Sequence, residues 1–142
     1  MTRINLGIEP QELCDSHLRG EYHELPRFWN LRLVSKPPLH FTLNKGHVLW
    51  CAQFPRTLAE RFADLVAEMQ HRGFKPQFLR APAAARRSTL RAPASELERA
   101  RPLLQERILA RLPTMRRVVW TGRAIPVWVL FEPEASADGS RP

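Results

Sequence analysis

The stretch from Pro55 to Arg72 constrains the fold more than any other part of the chain. Leu58, Phe62, Leu65, Val66 and Met69 recur every three or four residues, the spacing that places side chains on one face of an α-helix. Pro55 suits the first helical turn, where its missing N–H is a donor the helix leaves unpaired anyway. Gly73 follows as a stop, because it adopts the left-handed turn that ends many helices. Such a helix is stable only when other elements cover its apolar stripe, so the rest of the chain must supply them.

A second helical pattern starts at Pro10. Leu13, His17, Leu18, Tyr22 and Leu25 lie near helical spacing, and the helix is expected to reach about Leu33. Pro26 falls inside it and should kink it, because proline removes one ladder bond and crowds the preceding turn. Pro37-Pro38 closes the segment, and a loop from Leu43 to His47 leads to the apolar stretch from Val48 to Ala52. Residues 74–94, rich in Pro, Ala and Arg, read as a long, basic, irregular loop. Ser95 and Glu98 have the spacing of a capping box, which would start a third helix running to Leu112. Leu103, Leu104, Ile108 and Leu112 would form its inner face, although Pro102 offers an alternative boundary. Thr114 to Phe131 shows no clear period, and 132–142 is expected to be a disordered tail. These features predict a mainly α single domain over residues 2–131, with about three principal helices joined by long loops.

The length, 142 residues, suffices for one core and not for two. No apolar run approaches the roughly 20 residues of a membrane-spanning helix, so no membrane partner is expected. The start, Met1 to Leu6, lacks the apolar stretch of a signal peptide, which makes a cytoplasmic location the expectation. Cys14 and Cys51 form no disulfide framework and are expected to be buried small residues. The histidines include no i, i+4 pair backed by a glutamate, so neither a metal site nor a cofactor is expected. Net charge is the informative quantity, at +8. From Arg80 to Arg123, eleven arginines stand against three acids, Glu96, Glu98 and Glu106. A field of that sign concentrates polyanions, which points to nucleic acid as partner.

Several motifs occur in order along residues 2–125. They are Thr2-Arg3-Ile4-Asn5-Leu6; His17-Leu18-Arg19-Gly20-Glu21-Tyr22-His23-Glu24-Leu25-Pro26-Arg27; Lys45-Gly46-His47-Val48; and Arg72-Gly73-Phe74. Glu106 to Arg111 and Trp120-Thr121-Gly122-Arg123-Ala124 follow. This pattern resembles the phage-type pyrimidine-dimer DNA glycosylases, the dimer-specific endonuclease V family. The resemblance implies an N-terminal segment that threads toward the active site. It also implies a monomeric enzyme that acts on damaged double-stranded DNA in the nucleoid and couples base excision to abasic-site cleavage.

The resemblance further implies that Thr2 and Glu24 are the catalytic pair. A glycosylase that is also a lyase needs an amine to form an imine at the sugar C1′. An α-amino group titrates near 7.7–8.0 and offers more free base at neutral pH than lysine does. Removal of Met1 before the small Thr2 would expose such an amine. Glu24 would stabilise the cationic sugar and then move protons during β-elimination. Glu21 is expected to pair with a basic neighbour instead. Arg3 and Arg27 match family positions on the lesion strand's phosphates, where a planar guanidinium binds two oxygens at once. His23 stands where the family has arginine; it is shorter and mostly neutral, so one phosphate contact is weakened or pH-dependent. His17 and Tyr22 read equally as ligands or as orienting residues. Arg107 and Arg111 are expected to extend the phosphate-binding face; Trp120, Gly122 and Arg123 would lie against the bent duplex, with Trp120 reading equally as a core residue. Two other functions fit the same residues: a glycosylase–lyase for a different base lesion, and a non-catalytic DNA-binding module of the same fold. The joint presence of Thr2 and Glu24 argues against the second.

Overall fold

The computed structural model describes residues 4–29, 31 and 36–130. Three helices of ten residues or more carry it, α1 (Asp15–Glu24), α3 (Pro55–His71) and α5 (Ala94–Arg111). Shorter helices lie between and after them: α2 (His47–Ala52), α4 (Ala83–Arg87) and α6 (Val127–Leu130). Single 3₁₀ turns occur at Pro10–Glu12, Leu25–Phe28 and Leu112–Thr114, and no strand occurs among the described residues. The mainly α single domain expected from the sequence is therefore what the chain adopts. Among the described residues no helix is long and apolar enough to cross a membrane.

Helix α3 is the centre of the core. All five residues of its predicted stripe are buried, against Leu18, Tyr22 and Leu25 of the α1 region and Leu104 and Ile108 of α5. Its end is a Schellman turn: Gly73 is left-handed at φ 89°, its N–H donates to the Gln70 carbonyl (3.0 Å), and Phe74 N–H donates to the Met69 carbonyl (2.9 Å).

The helix expected from Pro10 is two elements. Pro10 starts only a 3₁₀ turn, Cys14 is extended, and α1 begins at Asp15. At the other end Pro26 has no N–H to give Tyr22, so the α-helix stops at Glu24 and tightens into a 3₁₀ turn. The 3₁₀ turn ends at Phe28 and Leu31 is not helical, while 32–35, which hold the expected end at Leu33, lie outside the described residues. The apolar stretch 48–52 is helix α2, and Trp50 and Cys51 are fully buried there. Within the predicted loop 74–94, α4 packs on α3 through Ala81 and Ala85 against Ala59. The capping box at Ser95 and Glu98 does not form. Helix α5 begins two residues earlier, with Pro93 as N-cap and Ala94 as its first residue, and Glu96 instead accepts from the Phe41 N–H (2.7 Å). Pro102 remains inside α5 because it and Glu98, whose carbonyl loses its donor, are both exposed, so water replaces the bond. The expected disordered tail 132–142 lies outside the described residues. Both cysteines are buried, and burial pushes both thiols up and away from the reactive thiolate.

Many carboxylates are engaged by arginines. Glu12 pairs with Arg101 (2.6 Å), Asp15 with Arg72 (2.8 Å), Glu60 with Arg91 (2.7 Å), and Glu68 with both Arg72 and Arg123 (2.8 Å each). The innermost is Glu21, gripped by Arg61 through Nε (2.7 Å) and Nη2 (3.0 Å), with both side chains buried. The expectation for Glu21 holds, and its partner comes from α3.

Candidate active site

Residues 4–8 run through the core before the first turn. Ile4, Leu6 and Ile8 are buried. The polar groups between them are held by side chains from three other elements. Asn5 donates to Glu21 (3.1 Å), Arg61 donates to the Ile8 carbonyl, and Arg101 donates to the Gly7 carbonyl (3.1 Å). Gly7 is left-handed at φ 102°, and a Cβ there would meet the Leu97 carbonyl at 2.8 Å, so only glycine allows this crossing of α5. Buried His47 fixes the start. Its Nδ1 lies 2.9 Å from the Thr42 carbonyl and must donate, which leaves Nε2 to accept the Ile4 N–H at 3.3 Å.

This segment ends at a cleft of about 290 Å³ between α1 and α5. Ser16, His17, Gly20, His23 and Glu24 form the α1 wall, Arg107, Ile108 and Arg111 the α5 wall, and Asn5 and Glu21 complete the lining. Glu24 is the last residue of α1, where Pro26 stops the helix, and its carboxylate pairs with exposed Arg27 at 3.0 Å. Arg107 and Arg111 stand one turn apart. Burial and the neighbouring Arg111 charge both lower the Arg107 pKa. Among the described residues neither guanidinium has a carboxylate within ion-pair distance. Two crowded cations without an acid are relieved by an incoming anion, and phosphate suits them.

His17 faces the same pair. Its Nδ1 is buried with no hydrogen-bond partner among the described residues. Burial first, then the Arg111 and Arg107 charges, hold its pKa below 6.5, against an opposing pull from Glu21. His17 is therefore neutral at pH 7. A depressed histidine contributes stability that is present above its ordinary pKa and is lost as pH falls through the lowered one. An NMR titration of the free protein should give a His17 midpoint below 6.5; a midpoint at or above that value would reject this description.

The structure thus gathers His17, His23, Glu24, Arg107 and Arg111 at one cleft, with Arg27 at its rim. The other predicted residues lie elsewhere. Tyr22 faces away: its ring stacks on Phe62 (centroids 5.3 Å apart), and its hydroxyl bonds the backbone of Phe78. Trp120 is buried and donates to the Glu12 carbonyl (2.9 Å), Arg123 pairs with Glu68, and Gly122 is a left-handed turn between them. Thr2 and Arg3 lie outside the described residues. The cleft also includes Asn5, Ser16, Gly20 and Ile108, which the sequence reading did not single out. Helical spacing from His17 and Glu24 would have found Ser16 and Gly20, and Asn5 is the polar residue between two buried ones.

In one lining, a carboxylate and arginines without an acid partner among the described residues give the cleft the chemistry that suits a polyanion. Residues 1–80, more than half of the chain and including all of α1 to α3, match the family model for pyrimidine dimer DNA glycosylase, and the protein belongs to that family. Membership carries the family's general activity, excision at pyrimidine dimers in DNA.

Proposed function

We propose that this enzyme is a bifunctional glycosylase and abasic-site lyase for cyclobutane pyrimidine dimers, with the α-amino group of Thr2 as nucleophile and Glu24 as its acid–base partner. One observation supports this most: Asn5 lines the cleft, and the three residues from it back to the Thr2 amine span at most about 10 Å. So short a tether from a residue of the lining supports a role for the freed amine in the cleft that Glu24 also lines.

The neutral amine attacks C1′ and the glycosidic bond breaks, its electron pair leaving with the base. Glu24 stabilises the positive charge that develops on the sugar. The sugar ring opens as the C1′–O4′ bond breaks, giving the imine and an O4′ hydroxyl. Loss of a C2′ proton, for which Glu24 is the base, then expels the 3′ phosphate by breaking C3′–O. Water hydrolyses the imine and frees the enzyme. Arg27, His23, Arg107 and Arg111 bind phosphates around the lesion, with Arg3 beside the nucleophile. Bending the duplex and unstacking the lesion costs a few kcal/mol, least at a damaged pair, which favours dimers.

Borohydride reduction during reaction with a dimer-containing duplex should trap a covalent adduct that peptide mapping assigns to Thr2. An adduct at another residue, or none, would reject the mechanism. The same experiment on irradiated, oxidised and plain abasic duplexes tests the lesion preference.

A further inference from the structure

Helix α1 is flanked by two clefts. Its exposed ridge carries Ser16, Arg19, Gly20, His23 and Arg27. The candidate active site opens on one flank, and a second cleft of about 260 Å³ opens on the other, lined by Arg19, Tyr22, Phe74, Lys75 and Phe78 among others. His23 belongs to both linings, so it stands on the divide between them.

Phe78 lines the second cleft and is 61% exposed, and the next residue, Leu79, is 53% exposed. One exposed apolar residue needs no explanation. Phe78 differs because its backbone is clamped to the core. The Tyr22 hydroxyl accepts the Phe78 N–H at 2.8 Å and lies 3.2 Å from the Phe78 carbonyl, to which it donates. The Tyr22 ring is itself buried and stacked on Phe62 of α3. The fold thus fixes the backbone from which an aromatic ring projects into water. The charged residues of that lining, Arg19 and Lys75, are both basic, the Arg19 guanidinium lies 4.9 Å over the Phe74 ring, and Arg80 is exposed two residues beyond Phe78.

We propose that Phe78, with Leu79 beside it, is a stacking post for a nucleobase of the bound duplex, on the opposite side of α1 from the lesion. The proposal rests on the reading of the first cleft as the lesion site. A duplex laid along the α1 ridge meets both flanks. A bend centred on the lesion partly opens neighbouring base steps, and an opened step offers a ring face to a fixed aromatic. Lys75, Arg80 and Arg19 take the adjoining phosphates, which aligns the strand with the ring. The contact is sequence-tolerant because every base has a π face. It also gives Tyr22 a function from its buried position: it sets where the post stands.

The test compares the full-length protein with Phe78→Ala and Phe78→Trp. Dissociation constants for a dimer-containing duplex are measured by fluorescence anisotropy across a salt series. Phe78→Ala should bind about tenfold more weakly, the scale of one lost base–aromatic stack. Phe78→Trp should restore binding to within about twofold. The salt slope should stay unchanged in both, because no phosphate contact is lost. Thermal midpoints should also match, since the side chain is largely exposed. Wild-type affinity in Phe78→Ala would overturn the proposal and leave the surface to a different partner, a protein. Equal loss in both variants would overturn it too. Borohydride trapping of the wild-type enzyme keeps the two readings apart. A Thr2 adduct with unaltered Phe78→Ala binding removes the post alone. Weakened Phe78→Ala binding without a Thr2 adduct removes the nucleophile alone.

Discussion

Glu24→Gln is expected to lower single-turnover incision of a dimer-containing duplex by about 10²–10⁴-fold, the usual contribution of a positioned acid–base group. Affinity for the duplex should change by less than about threefold. Glutamine has the size of glutamate and still accepts a hydrogen bond from Arg27, 3.0 Å away in the native pair. It keeps the cleft's shape and loses only the charge. A neutral amide neither stabilises a cationic sugar nor accepts the proton whose departure drives β-elimination. Any phosphate contact made by Arg107, Arg111 or His23 is untouched, which is why binding survives while turnover does not. Incision within tenfold of the native rate would remove Glu24 from the chemistry. A parallel loss of binding and incision would make it a docking residue.

Arg61→Met should cost about 3–5 kcal/mol of folding stability, the range found when one partner of a buried ion pair is removed. The side chain of Glu21 has no exposure to solvent, and two of the three hydrogen bonds that its carboxylate receives come from Arg61. Methionine leaves that carboxylate buried beside Asn5 alone. The loss is a large share of the roughly 5–15 kcal/mol by which domains of this kind are stable. Coupling Arg61→Met with Glu21→Leu should recover much of it, because the buried charge is then gone as well. Urea denaturation measures both. A single-variant cost below about 1 kcal/mol would mean that water reaches the pair and that the anchoring of residues 4–8 lies elsewhere. In the double variant the fold returns without the Asn5–Glu21 and Arg61–Ile8 bonds, so incision reports what these ties on residues 4–8 add to reaction.

The sequence revealed α3 almost completely, since an apolar stripe between a proline and a glycine has one stable solution. It also grouped His17, His23 and Glu24, which fall on neighbouring turns of α1 and line one cleft. Local signals failed where a distant partner decided the outcome. Ser95 and Glu98 have capping-box spacing, yet the first turn of α5 is set by Pro93 and by Glu96 reaching the Phe41 N–H. Trp120 and Arg123 read as a basic aromatic surface, while the fold brings Glu12 and Glu68 to them from far away in the chain. Tyr22 read equally as a ligand or an orienting residue, and helical geometry turns it to the other flank of α1, where it holds the Phe78 backbone. Cross-chain pairing is invisible to spacing, whereas helix faces are not.

The engagement of the carboxylates has a kinetic consequence. Glu12, Asp15, Glu21 and Glu68 are each tied to arginines of the fold, and Arg107 and Arg111 have no such tie among the described residues. A passing stretch of undamaged DNA therefore meets attraction on that side with little internal opposition. The hunt for rare lesions is then governed by displaced counter-ions. In dilute salt the enzyme is expected to stay longer on one DNA molecule, and in concentrated salt to leave it sooner, so that each lesion is reached by a separate encounter.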